Sequence, residues 1–133
     1  MEELRIKAKD ETLDDVLRFV SRHLEKCRCD RDTRVLLLVA VEEVFVNIAH
    51  YAYGKRGGEA VIQAEATEDS LRLCVRDRGK PYDPLQRKDP DITLSAEDRK
   101  IGGLGVYFVK KTMDRVRYQR ERGWNVLTME KDF

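Results

Sequence analysis

The chain has 133 residues, with 26 Lys and Arg against 25 Asp and Glu, for a net charge of +1. That length is one domain's worth and buries enough apolar surface to fold without a disulfide or metal staple. The balanced charge lacks the basic excess of a dedicated nucleic-acid binder, and a hydrophobic content of 41% excludes a disordered chain.

No uninterrupted apolar run approaches the roughly 20 residues of a membrane span. The opening Met1-Glu2-Glu3 lacks the basic and then apolar layout of a secretory signal. Cys27 and Cys29 form a C-x-C with only Cys74 besides. They read as free thiols of a reducing compartment rather than as a zinc site or redox pair. The expectation is one cytoplasmic domain over residues 1–133.

In chain order, residues 4–8 alternate apolar and polar, as a half-buried strand does. Thr12 offers an N-cap ahead of Asp14 and Asp15 in a first turn. Leu13, Val16, Leu17, Val20 and Leu24 then recur at helical spacing, which predicts a helix over residues 13–27 with one core face. His23 falls among charges and reads as a surface residue. Asp30 to Asp32 offer a second helix start, with the helix running to about residue 53. Residues 35–41 are apolar at every position, the pattern of a helix buried nearly all round. Gly54, Gly57 and Gly58 end it.

Two strands, Glu59–Ala66 and 71–77, flank Thr67-Glu68-Asp69-Ser70 and read as a hairpin. Residues 79–103 hold all three prolines and little periodicity beyond one helical turn near 95–99. An irregular stretch this long inside a domain is a functional lid or a disordered loop. Gly102-Gly103-Leu104-Gly105 closes it and opens a helix over 106–113. Strands over Arg115–Glu121 and 125–131 follow, turning at Arg122-Gly123. The order predicts an α/β two-layer sandwich, a mostly antiparallel sheet covered on one face by helices, with a lid.

Three polar constellations carry chemistry. Glu43 and Asn47 lie four residues apart on the most apolar helix, so both side chains project from one face. They are costly in an apolar setting without partners. Either the helix surfaces there and both are solvated, or they serve a magnesium ion and a phosphorylated ligand. In the second case the Asn47 carbonyl is a hard metal ligand, and the Glu43 carboxylate takes a proton from an attacking hydroxyl. Next, Asp77-Arg78-Gly79 ends a predicted strand. It is either an ordinary turn or a carboxylate acceptor for an exocyclic amine such as that of adenine, with a glycine that lets a flat ring approach. Last, Gly102-Gly103-Leu104-Gly105 before a helix is either a hinge or a phosphate cradle of bare N–H groups. It is neither a P-loop nor a dinucleotide fingerprint.

The order of these features resembles the GHKL ATP-binding fold and, more closely, the anti-sigma-factor serine/threonine kinases. Glu43-Val-Phe-Val-Asn47 resembles the N box (E-x-x-x-N), and Ala52-Tyr53 the A-Y that often follows. Asp77-Arg-Gly79-Lys-Pro81-Tyr-Asp-Pro84 resembles the first glycine box, D-x-G-x-P-[FY]-D-P. Gly102-Gly103-Leu104-Gly105 through Met113-Asp114 resembles the second, and residues 125–128 the closing strand. The chain departs in carrying Tyr51 where some members have histidine, and Ile101 where some have arginine. Its lid also lacks a threonine-rich segment.

The resemblance implies an ATP site built by Asn47, Tyr53, Asp77, Gly79, Gly102, Gly103, Leu104 and Gly105. Asn47 would hold Mg²⁺, and Glu43 would be the catalytic base for phosphoryl transfer. It implies a STAS-type anti-sigma-factor antagonist as substrate, a sigma factor as second partner, and homodimers in some members. Three rivals stand beside it. One is an ATP-binding regulatory module without transfer activity. Another is a detached histidine-kinase catalytic domain, whose two-helix stalk would need more than the thirty or so residues ahead of the N-box helix. The third is a purely structural domain, in which all three constellations take their plainer readings.

Overall fold

Five strands pair antiparallel throughout, in the order β1-β2-β3-β5-β4. They are β1 (Glu2–Lys7), β2 (Glu59–Ala66), β3 (Ser70–Asp77), β4 (Arg115–Glu121) and β5 (Trp124–Asp132). The helices are α1 (Leu13–Leu24), α2 (Arg31–Asn47) and α3 (Leu104–Thr112). This computed structural model describes residues 1–86 and 104–133. The expected turn near 95–99, most of the expected lid, Gly102 and Gly103 lie outside the described residues.

The period-2 alternation of the strands decides which face is covered. On β3, Leu71, Leu73, Val75 and Asp77 are buried. Register aligns the last three with Met129, Leu127 and Asn125 of β5, and with Ala64, Ile62 and Ala60 of β2. Val16, Phe19, Val20 and Leu24 of α1 pack onto this face with Leu37, Val41, Phe45 and Ile48 from α2 and its continuation. The predicted two-layer sandwich is what forms. The β4–β5 turn has Arg122 at φ 49 and Gly123 at φ 88, both left-handed, as a two-residue hairpin loop requires. On the other face, the Arg76 and Arg78 guanidinium carbons sit 4.8 and 4.6 Å from the centre of the Trp124 ring.

Three local expectations are corrected. Thr12 occupies the N-cap position but caps nothing. Its hydroxyl turns back and shares its one hydrogen between Lys7 O (2.6 Å) and Lys9 O (2.8 Å), tying the helix start to the end of β1. His23 is 3% exposed, not on the surface. It lies three and four residues from Val20 and Phe19, so helical geometry carries it to the core face despite its charged neighbours. Its Nδ1 donates to Phe19 O at 2.9 Å, since a carbonyl can only accept.

Residues 35–41 are not buried all round: Val35 and Leu36 are 53% and 47% exposed. The buried residues Leu37, Ala40, Val41, Val44 and Phe45 form one face of α2 over the sheet, while α1 and α3 flank it. The outward side stays open. Arg31–Ala52 is long and apolar enough to cross a membrane by length and composition alone. Here its inward side is core.

The start of α2 is set by Asp30, whose carboxylate accepts from Thr33 N at 2.7 Å. Its end is a π-helical turn, Ile48–Ala52, a widened turn of a kind found often at functional sites. His50 Nε2 lies 2.7 Å from Asp10 Oδ1, pinning that turn to the 3-10 turn Asp10–Thr12.

Candidate functional site

A cavity of about 400 Å³ opens where α2, α3 and the Asp77 end of the sheet meet. Its walls are mainly apolar, with Val44, Ile48, Val75, Val106, Val109 and Leu127 among them. Asn47, Asp77, Lys80 and Asn125 supply polar groups. Two of the expected site residues, Asn47 and Asp77, thus face one space. A mostly apolar cleft with few convergent polar groups is the usual form of a small-ligand site.

Asp77 ends β3 and is 5% exposed. Its Oδ1 accepts from Gly79 N (2.9 Å) and from Asn125 Nδ2 (2.9 Å). Among the described residues, Oδ2 carries no hydrogen bond. Gly79 does not line the cavity. Its backbone crosses the end of the π-helical turn so closely that a Cβ there would strike the Ala52 carbonyl and side chain. The crossing is fastened by Lys80 N, which donates to Ala52 O at 3.0 Å. Only glycine permits that approach.

Glu43 and Gly105 meet at the α2–α3 crossing. A Cβ on Gly105 would collide with the Glu43 carboxylate. The candidate base thus sits against the first turn of α3, whose opening residue is Leu104. Neither Glu43 nor Gly105 lines the cavity itself.

Tyr53 does not line it either. Its hydroxyl donates to Glu59 O (2.5 Å) and accepts from Arg78 N (2.7 Å), bracing β2 against the stretch after β3. Burial pushes the Tyr53 phenol above its usual pKa, and the Arg78 N–H partly offsets this.

Sequence reasoning missed Asn125, Tyr118 and Arg120. Asn125 stands opposite Asp77 in the β3–β5 register and is 7% exposed. Arg120 Nη1 donates to Gly79 O at 2.9 Å. The available signal was the position of Asn125: a polar residue in the inward row that continues with Leu127 and Met129.

No group of three or more His, Cys, Asp or Glu among the described residues could hold a metal ion. What remains is the Asn47 amide in the cavity wall. One hard oxygen fits a magnesium ion held chiefly by ligand phosphates and water, not a caged resident ion.

The antiparallel sheet, with helices on one face and a cleft at the α2–α3 end, defines the class: a two-layer α/β sandwich with a ligand-sized cleft at one end. Residues 6–131 match the histidine kinase-like ATPase domain, and the chain belongs to that family. The serine/threonine-protein kinase BtrW of Bordetella bronchiseptica is 28% identical over 127 residues, covering 95% of this chain and 89% of that protein. The serine-protein kinase RsbW of Listeria monocytogenes is 32% identical over 96 residues, covering 68% of this chain and 61% of that protein. The aligned stretch is thus about three-fifths of the RsbW length.

Among solved structures, the RsbU and RsbW domains of a Mycobacterium tuberculosis protein align with a TM-score of 0.61 at 15% identity, over 98% of this chain and 32% of that one. The Acinetobacter baumannii histidine kinase AdeS gives 0.53 at 16%, over 99% and 68%. These two likenesses concern the fold alone.

Proposed function

We propose that this chain is an ATP-dependent serine/threonine protein kinase of the anti-sigma-factor type. The observation that carries the reading is the shared cavity: Asn47 and Asp77 face one apolar cleft, beside the contact of Glu43 with the first turn of α3. The kinase names of BtrW and RsbW support it.

In this reading Asp77 accepts a hydrogen from the adenine amino group, and Gly79 lets the chain after Asp77 pack tightly against Ala52 beside the cleft. Asn47 faces the phosphates. The family resemblance assigns phosphate contacts to Gly102, Gly103, Leu104 and Gly105, and the last two open α3 at its positive end. Magnesium, when bound, neutralises charge across the terminal phosphates. Glu43 orients the hydroxyl of a serine or threonine on the partner and takes its proton. The hydroxyl oxygen bonds to the γ-phosphorus as the bond to the bridging oxygen breaks, and ADP leaves. Tyr53 acts here as a brace rather than a nucleotide contact. The substrate protein is a small STAS-type antagonist, and a sigma factor is the competing partner.

The test is incubation with γ-labelled ATP, Mg²⁺ and candidate antagonists from the same organism. Label on a serine or threonine of one antagonist is the expected result. ATP binding with no transfer to any of them would leave a nucleotide-dependent binding module in place of the kinase. Absence of ATP binding would overturn both.

A further inference from the structure

We propose that Asn125 is the positioning residue that aims Asp77 at the nucleobase, with Tyr118 holding Asn125 in turn. This rests on the reading of the cavity as an ATP site. Asn125 uses its whole hydrogen-bonding capacity. Nδ2 donates to Asp77 Oδ1 (2.9 Å) and Lys80 O (2.9 Å). Oδ1 accepts from the Tyr118 hydroxyl (2.5 Å) and from Tyr82 N (3.4 Å). The chemistry of the partners settles which end of the amide is which. The Lys80 carbonyl can only accept and the Tyr82 N–H can only donate, so the NH₂ must face Asp77.

The consequence falls on Asp77. Two N–H groups, from Gly79 and Asn125, occupy its Oδ1 and leave Oδ2 as the acceptor for a ligand amine. Both bonds lock the carboxylate's rotation about its own axis. A nucleobase that offers an amino group meets a fixed acceptor. One that offers a carbonyl meets a like dipole. Asn125 reaches across from β5, so the discrimination is set by a residue on another strand from the one that makes the contact. Asn125 also ties the Lys80–Tyr82 backbone to the same point, joining the cavity wall to its polar centre.

The experiment compares ATP with purine riboside triphosphate, which lacks the amino group, by calorimetry on the native chain, Asn125→Ala and Asn125→Asp. The native chain is expected to prefer ATP. In Asn125→Ala, ATP affinity should fall about tenfold, the loss of one charge-assisted hydrogen bond. The analogue should lose less than about threefold, so the preference collapses. Equal losses for both ligands, or an undiminished preference, would overturn the role of Asn125 while leaving the ATP site standing. A native chain that binds both ligands equally would remove the Asp77 contact itself, and this inference with it.

Should Asn125→Ala fail to fold, Asn125→Asp decides, because it keeps the shape. It sets a second carboxylate against Asp77, so ATP binding relative to the native chain should be weak near pH 8 and recover by about tenfold toward pH 5, as the pair takes up a shared proton. A flat relative pH profile would overturn the proposal.

Discussion

Glu43 is half-exposed and pressed against a glycine rather than buried among aliphatic groups. Replacing it by Gln keeps that contact and removes the proposed proton acceptor. Glu43→Gln is therefore expected to bind ATP within about threefold of the native chain while transfer to the partner falls by about 10²–10⁴; a filter-binding assay paired with labelled transfer separates the two. Tyr53 is expected to act on stability instead. Its hydroxyl serves both Arg78 N and Glu59 O, so Tyr53→Phe strands two backbone groups. It should cost about 1–3 kcal/mol in urea unfolding. A loss confined to ATP affinity, with stability intact, would return Tyr53 to the nucleotide. At this scale the sequence was legible for residues whose chemistry is local, such as Asp77 followed by Gly79. It was illegible where partners come from another strand. Nothing near Asn125 in the chain hints at Asp77, and nothing near His23 but helical spacing hints at the core.

The long helix shows the same division one level up. Its start was legible because the cap is a local pattern: Asp30 three residues before Thr33. That hydrogen bond from the Thr33 backbone holds the Asp30 carboxyl below the usual carboxylate range. A pKa lower in the folded than in the unfolded state stabilises above the unfolded value, near 3.9, and the contribution is lost as pH falls through the folded value. Asp30→Ala should thus be less stable than the native chain at pH 7, with the difference narrowing as pH falls through the folded value; urea melts at pH 7 and in acid check it. The widened π turn at Ile48–Ala52 had no sequence signature. It depends on the backbone of residues 79 and 80 lying across it. The unbroken apolar run over 35–41 was misleading in the opposite direction. Hydrophobicity there exceeds what the core needs, and Val35 and Leu36 face outward.

At the scale of the whole molecule, alternation made the strands legible to within a few residues. The antiparallel hairpins followed from their turns. What alternation does not carry is the placement of β5 between β3 and β4, and that placement creates the Asp77–Asn125 pairing. The cavity is consequently a junction between chain segments distant in sequence, and a ligand filling it should brace them together. ATP with magnesium at 100 times its dissociation constant is expected to add about 2.7 kcal/mol to unfolding. The melting temperature should rise by several degrees in the native chain and in Glu43→Gln, but not in Asp77→Asn. An equal shift in Asp77→Asn would place the ligand elsewhere.

The chain holds a single tryptophan, and it lies on the outer side of the sheet under the side chains of Arg76 and Arg78. Those two residues bracket Asp77 in sequence, so any adjustment of its strand end shifts the guanidinium groups over the indole. Emission from Trp124 is then an intrinsic optical gauge of events on the opposite side of the sheet, readable in solution without attaching a dye.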